Sequence, residues 1–181
     1  MARPQANLRL FAAIYPPIEV ARAALRAIRG LDLPDHRATP AEQVHLTAQF
    51  IGDTPVKDLD GVLESVRRSA SGVGAFALKP LRYITLPRGK RPRLIALETD
   101  APAQIMELHR RLAHRLATSP RADGADRFLP HLTLARFRPG PARPLEAEAD
   151  LPAFEVDAIV VMRSVLRPEG AEHKEVERIA L

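Results

Sequence analysis

The spacing of apolar residues predicts a chain of alternating strands and helices. From Leu8 to Ile14, every second residue, starting with Leu8, is apolar, which indicates a strand with one face in a core. Apolar residues three or four positions apart predict helices over 17–29, from Pro55 onward with Thr54 as N-cap, and over 101–117. Other apolar runs predict strands over 75–85, 93–99, 154–162 and about 173–181.

Two further strand-like runs, 44–51 and 130–137, contain the same tripeptide, His-Leu-Thr. Because residues i and i+2 of a strand point to the same face, each copy should project an imidazole and a hydroxyl to one side. His45 and Thr47 form the first such pair, and His131 and Thr133 form the second. Each run follows a predicted helix and a polar loop, which indicates an internal duplication.

A duplicated unit of this kind predicts two lobes related by a pseudo-twofold axis. The two motif strands would then lie side by side at a cleft between the lobes, where ligands commonly bind. We therefore expect residues 1–181 to form a single bilobal domain, with the strands 44–51 and 130–137 meeting at its central cleft.

Composition excludes several classes of protein. The 181 residues are 46% hydrophobic, enough to build a globular core. The chain has no Cys, which excludes disulfides, thiolate nucleophiles and zinc-thiolate sites. The first residues lack the apolar region of a signal peptide, and no run approaches the ~20 apolar residues of a membrane span. We expect a cytoplasmic protein that does not enter membranes.

The net charge of +5 favours a polyanionic partner, most simply nucleic acid. An Arg-rich composition that reflects a GC-rich genome explains the charge equally well, so charge alone decides little. The cations Arg88, Lys90, Arg91 and Arg93 are in a predicted hairpin loop that either contacts an RNA backbone or is a solvated turn. Phe11 offers either a stacking surface for a base or ordinary packing.

Two imidazoles and two hydroxyls around one cleft suit acid–base chemistry on a phosphate ester. An unperturbed His titrates near 6.5, so one ring can donate a proton while the other accepts one. Thr hydroxyls can donate hydrogen bonds to phosphate oxygens, and an Arg can neutralise their charge. This chemistry needs no metal ion.

The competing hypothesis is a metal site, because two neutral His could bind zinc. A catalytic zinc site usually has a third protein ligand, and the motif strands contain no carboxylate. Asp53 and Asp126 fall in predicted turns, and His109 and His114 are five residues apart on a helix, which does not place them on one face. The chain also lacks the G-x-S-x-G, P-loop and G-x-G-x-x-G motifs.

The motifs and their flanks resemble those of the 2H phosphoesterases, in particular the bacterial and archaeal RNA 2′,3′-cyclic phosphodiesterases, historically called 2′-5′ RNA ligases. The resemblance spans most of the chain, and the second motif with its flanks is its most specific part. The matching segments are 9–14, 45–47 with 50–52, 127–136 and 164–171.

The resemblance implies an α+β, two-lobed pseudo-twofold fold in which antiparallel sheets line a central cleft and helices lie outside. It implies hydrolysis of a terminal RNA 2′,3′-cyclic phosphate to a 2′-phosphate without metal or cofactor. His45 would be the proton donor and His131 the proton acceptor, Thr47 and Thr133 would hold the phosphate, and Arg136 would assist. A reversible 2′-5′ RNA joining activity is associated with the family and would use the same site.

The expected partner is RNA with 2′,3′-cyclic phosphate ends, tRNA fragments among them, and the expected state is a monomer. Two alternatives remain open: a protein that binds RNA ends without turnover, and a 2H enzyme that acts on another cyclic or 2′-5′-linked nucleotide. Tight RNA binding without hydrolysis would favour the first, and a comparison of substrates would identify the second.

The sequence differs from the family pattern at three positions. Ala38 or a neighbour stands where the family usually has Trp, Ala48 replaces the usual Leu, and His173 stands where Tyr is common. These differences concern substrate fit more than chemistry. Strict alternation also places Arg136 on the face opposite His131, so a phosphate role for Arg136 requires a bulge or a twist at the strand end.

Overall fold

The computed structural model describes residues 7–89, 91–116, 128–167 and 170–181. The described residues form three α-helices: α1 (Ile18–Ala27), α2 (Leu59–Ala70) and α3 (Ala103–Leu116). They also form eleven strands: β1 (Asn7–Ile14), β2 (His36–Ala38), β3 (Leu46–Pro55), β4 (Phe76–Leu78), β5 (Pro80–Leu86), β6 (Leu94–Thr99), β7 (His131–Phe137), β8 (Glu146–Glu148), β9 (Phe154–Val156), β10 (Ala158–Arg167) and β11 (Gly170–Ala180).

Nine of these strands form one antiparallel sheet in the order β11-β10-β1-β3-β7-β6-β5-β8, with β2 also paired to β7. The motif strands β3 and β7 are adjacent, and their one register pair joins Leu46 to Leu132. The fold is thus α+β with antiparallel strands, as predicted, and its strands form one nine-stranded sheet and the small pair β4-β9. The pseudo-twofold bilobal division of 1–181 stays a prediction.

The main core lies between one face of this sheet and the helices. Leu8, Leu10, Ala12 and Ile14 of β1 pack in it, as their alternation predicts. Buried residues of all three helices join the same cluster, among them Ile105 and Leu108 of α3. The opposite face of β1 contributes Phe11 and Ala13 to a smaller cluster with Val160 and Met162. The sheet therefore has a helix-covered face and a second face that is free to line a cleft.

Tertiary pairing overrides several predicted boundaries. Thr54 and Pro55 pair with β1 at the end of β3, so Thr54 is not the N-cap; a 3-10 helix follows directly over Val56–Asp58 and leads into α2 at Leu59. The predicted strand 75–85 divides at Lys79, whose backbone exchanges hydrogen bonds with Asp100. The predicted strand 154–162 divides at Asp157, so its first part pairs with β4 and its second with β1 and β11.

Some sequence predictions concern residues outside the described ranges. Lys90 of the basic loop, the polar loop 119–127 and residues 168–169 of the last matching segment belong to this group. Within the basic loop, Arg88 Nη2 lies 3.3 Å from Glu98 Oε2. No helix in the described part of the chain has the length and apolar character needed to cross a membrane.

Candidate active site

A cleft of about 1100 Å³ opens where β3 and β7 diverge from their single register pair. All five polar side chains predicted to act on a phosphate line it: His45, Thr47, His131, Thr133 and Arg136. The middle residues of the motifs, Leu46 and Leu132, are instead buried in the main core. The period of two thus places imidazole and hydroxyl in the cleft, as the sequence predicts.

The two motif imidazoles make the same hydrogen bond. Nδ1 of His45 donates to the carbonyl of Gln43 at 2.6 Å, and Nδ1 of His131 donates to the carbonyl of Leu129 at 2.7 Å. A carbonyl only accepts, so the neutral ring must hold its hydrogen on Nδ1. Nε2 is then the ring nitrogen that can accept a proton in the cleft.

Each motif is followed by a β-bulge at the same position. Ala48 is the extra residue where β3 pairs with β1, and Leu134 is the extra residue where β7 pairs with β6. A bulge shifts the alternation of the residues after it. Arg136 is consequently exposed and lines the cleft, which is the geometry that a phosphate role requires.

The third residue after each Thr differs between the two motifs. On β3 this residue is Phe50, which is 65% exposed, and on β7 it is Arg136. Both line the cleft. The cleft therefore has an aromatic side chain beyond the first motif and a cation beyond the second.

Aromatic rings surround His45. Its ring centroid lies 5.0 Å from Phe11, 5.4 Å from Tyr15 and 5.2 Å from His173. Burial by these neighbours lowers the pKa of His45 to about 4, and the nearby His173, Arg136 and His131 contribute to this lowering. At neutral pH the imidazole of His45 is therefore uncharged.

Charged residues dominate the surroundings of His131. Glu98 of β6 is its directly opposite partner in the sheet, is buried, and binds Arg82 at 2.6 Å. Burial and Arg136 lower the pKa of His131, while the bond to Leu129 and the charge of Glu98 act in the opposite direction.

Phe11 does not provide the stacking surface suggested by its place on β1. It is only 4% exposed, and its ring packs against His45 and, at 4.9 Å, against His173. The ring therefore supports the imidazole from below. Phe50 is an exposed aromatic residue on this side of the cleft, and its place in the matching segment 50–52 is the sequence signal that could have identified it.

Sequence reasoning also missed two residues that line the cleft. Arg37 of β2 packs against Gly170 at the start of β11, where a Cβ would lie 2.5 Å from its Nη1. His109 of α3 donates from Nδ1 to the carbonyl of Ala48 at 2.6 Å. Strand β2 is short and polar, and Ala48 is distant in sequence from His109, so neither contact has a local sequence signal.

The three departures from the family pattern all line the cleft: Ala38, Ala48 and His173. His173 contacts both His45 and Phe11, and burial lowers its pKa. Within the described ranges, no three His, Cys, Asp or Glu side chains are close enough to hold a metal ion.

A protein-family model described as the 2′-5′ RNA ligase superfamily matches residues 16–167. Two similar proteins are both named RNA 2′,3′-cyclic phosphodiesterase. The one from Thermotoga maritima is 27% identical over 173 residues, with 92% of each chain covered. The one from Thermus thermophilus is 29% identical over 191 residues, with 96% of this chain and 90% of that protein covered.

Solved structures have the same fold. The protein TT0787 of Thermus thermophilus superposes with a TM-score of 0.76 at 27% identity, covering 96% of this chain and 98% of that chain. Escherichia coli LigT complexed with NADP+ gives a TM-score of 0.78 at 22% identity, covering 97% of this chain and 99% of that chain.

Proposed function

This chain belongs to the 2′-5′ RNA ligase superfamily, and on that premise we propose that it is an RNA 2′,3′-cyclic phosphodiesterase. The proposal rests on one observation: the imidazoles of His45 and His131 line the same cleft and make the same backbone hydrogen bond. His45 and His131 both hold their hydrogen on Nδ1 through a backbone carbonyl and both line the cleft. A pair of such rings can remove one proton and supply another across a single phosphorus atom.

The proposed reaction opens the cyclic phosphate at its 3′ oxygen. Water attacks phosphorus and gives its proton to Nε2 of His131, while the bond from phosphorus to the 3′ oxygen breaks. Nε2 of the protonated His45 gives its proton to the departing 3′ oxygen. The product is a 2′-phosphate and a free 3′ hydroxyl, and the transferred protons balance without a metal ion.

The hydroxyls of Thr47 and Thr133 would hold the non-bridging phosphate oxygens during this step. Both are half-buried in the cleft, two residues after a motif imidazole. Arg136 brings a positive charge to the same space, as its effect on the pKa of both imidazoles indicates. Such donors stabilise charge that develops in the transition state.

Protonation of His45 requires the substrate. In the free protein, burial holds its pKa at about 4, so little of the acid form exists at pH 7. The negative charge of a bound phosphate favours the charged form of a neighbouring imidazole. His45 therefore acts as the acid only in the complex with its anionic substrate.

A second RNA could replace water as the nucleophile. Attack by its 5′ hydroxyl on the same phosphorus, with loss of the 3′ oxygen, leaves a 2′-5′ link. The proton transfers are unchanged, so hydrolysis and joining would be two outcomes at one site. Phe50 would offer its exposed ring to a base beside the reacting phosphate.

The decisive experiment is a product assay on an oligoribonucleotide with a 2′,3′-cyclic phosphate end. The expected product has its phosphate on the 2′ oxygen, and activity is expected to persist in EDTA. A 3′-phosphate product would reverse the choice of leaving group and with it the proton donor. Activity that vanishes in EDTA and returns with zinc would replace the proposed mechanism by a metal-dependent one.

The same assay tests the alternatives when small cyclic nucleotides and 2′-5′ dinucleotides are included as substrates. Faster turnover of either small substrate than of the oligoribonucleotide would identify a different 2H phosphodiesterase. Tight RNA binding without turnover of any substrate would identify a protein that only binds RNA ends.

A further inference from the structure

The carbonyl of each bulged residue after a motif needs a hydrogen-bond donor from outside its own ladder. After the second motif, the carbonyl of Leu134 accepts a backbone bond from Thr39 at 2.8 Å. After the first motif, the carbonyl of Ala48 accepts from Nδ1 of His109 at 2.6 Å. One bulge is thus held by the backbone and its counterpart by a single side chain.

The ring of His109 also contacts the segment that leads into the second motif. It stacks on Phe128 with centroids 3.9 Å apart and planes 8° apart. Phe128 directly precedes Leu129, whose carbonyl holds the imidazole of His131. His109 therefore contacts the backbone next to Thr47 on one side and the approach to His131 on the other.

The helix that supplies His109 has a rigid position. Ile105, Leu108 and Leu112 of α3 are fully buried in the main core. Their packing fixes the helix against β3, so His109 projects from a stable base into the gap between the two motif strands. Among the described residues, β3 and β7 pair directly with each other at Leu46 and Leu132.

We propose that His109 is a positioning residue that sets the distance between the two His-Leu-Thr motifs. Its effect on rate rests on the proposed phosphodiesterase activity, whereas its effect on the motif geometry does not. Because a displacement of about 1 Å in an active site can cost roughly 100-fold in rate, loss of this link should reduce turnover rather than substrate binding.

Two substitutions separate the hydrogen bond from the stacking. His109→Phe keeps a ring against Phe128 but removes the donor to Ala48. His109→Asn keeps a donor near the position of Nδ1 but removes the ring. His114 lies on the exposed side of the same helix, so His114→Phe is the matched control.

In steady-state assays on the cyclic-phosphate oligoribonucleotide, we expect His109→Phe to lower kcat about 10–100-fold with KM within about twofold. His109→Asn should recover at least half of that loss on a logarithmic scale, and His114→Phe should match the wild type. Wild-type kcat in His109→Phe, or an equal loss in His114→Phe, would overturn the proposal.

A second measurement does not depend on turnover. In ¹⁵N spectra of histidine-labelled protein, His109→Ala removes both the donor and the ring and should shift the ring signals of both His45 and His131, whereas His114→Ala should shift neither. A shift confined to one of the two motif rings, or no shift, would refute a role across both motifs.

If the wild type is inactive while both rings shift, the proposed activity fails and the positioning role stands. If His109→Ala does not fold, His109→Phe and His109→Asn are compared with the wild type, and unchanged signals for both rings in both variants would refute the proposal.

Discussion

The motif on β3 and the motif on β7 place the same tripeptide on the same kind of bulged strand, yet different side chains surround the two imidazoles. Phe11, Tyr15 and His173 enclose His45. The buried Glu98 and the exposed Arg136 accompany His131. Each ring thus donates a hydrogen bond to local backbone, whereas burial and the side chains around it shift its pKa. A twofold repeat can in this way provide two chemically distinct groups.

The largest expected effect is the loss of either imidazole. His45→Ala and His131→Ala should each lower kcat/KM about 10²–10⁴-fold, the usual contribution of a general acid or base. His36→Ala is the matched control, since Nδ1 of His36 donates to Pro34 in the same way at 2.8 Å. Full activity in either motif variant, with an unchanged melting temperature, would remove that ring from the mechanism.

Loss of a motif hydroxyl should have the next largest effect. Thr47→Val and Thr133→Val keep the side-chain shape and should each lower kcat about 100-fold if the hydroxyls hold the phosphate in the transition state. Equal losses would mean that the two halves share the phosphate evenly. A large change in KM with kcat intact would place the hydroxyl in ground-state binding instead.

The third largest effects should come from the residues that differ between the two motifs, Arg136 and Phe50, and the two variants should affect different kinetic constants. Arg136→Gln should lower kcat/KM about 10–100-fold for every cyclic phosphate, because hydrogen bonds to a charged group contribute about 1.5–3 kcal/mol. Phe50→Ala should raise KM about tenfold for substrates with a base beside the phosphate, because it removes the ring on which that base would stack. If Arg136→Gln and Phe50→Ala changed kcat/KM and KM in the same way for all substrates, the proposed difference between the two residues would be wrong.

The smallest effect should appear in the titration of the free protein. Because burial lowers the pKa of His45 to about 4, NMR should show this ring neutral at pH 5, and the pKa of His131 should also lie below its ordinary value. Arg136→Gln removes a nearby cation and should raise both pKa values. Added inorganic phosphate should raise them in the wild type. A midpoint for His45 at its ordinary value of about 6.5 would contradict the described surroundings.

The parts of the site that follow from local rules could be predicted from the sequence. The period of two places imidazole and hydroxyl together, and the core side of β1 follows its apolar alternation. The need for a bulge or a twist before Arg136 also follows from the alternation, and the structure has a bulge at Leu134.

The remaining features depend on contacts between distant segments. His109 reaches Ala48 across 61 residues, and the three residues of β2 or β8 have too little apolar pattern to predict a strand. Thr54 has the properties of an N-cap, but pairing with β1 determines its structure. Phe11 has the properties of an exposed ring, but the packing of His45 and His173 buries it.

The single register pair between Leu46 and Leu132 has a mechanical consequence. At about 3.3 Å per residue, each imidazole lies ~3 Å along its strand from this crossing point, whereas Phe50 and Arg136 lie ~13 Å from it. A relative rotation of the two strands by about 10° would move each imidazole by only ~0.6 Å but the outer side chains by ~2 Å. Such a rotation would therefore change the width of the outer cleft several times more than the position of the two imidazoles.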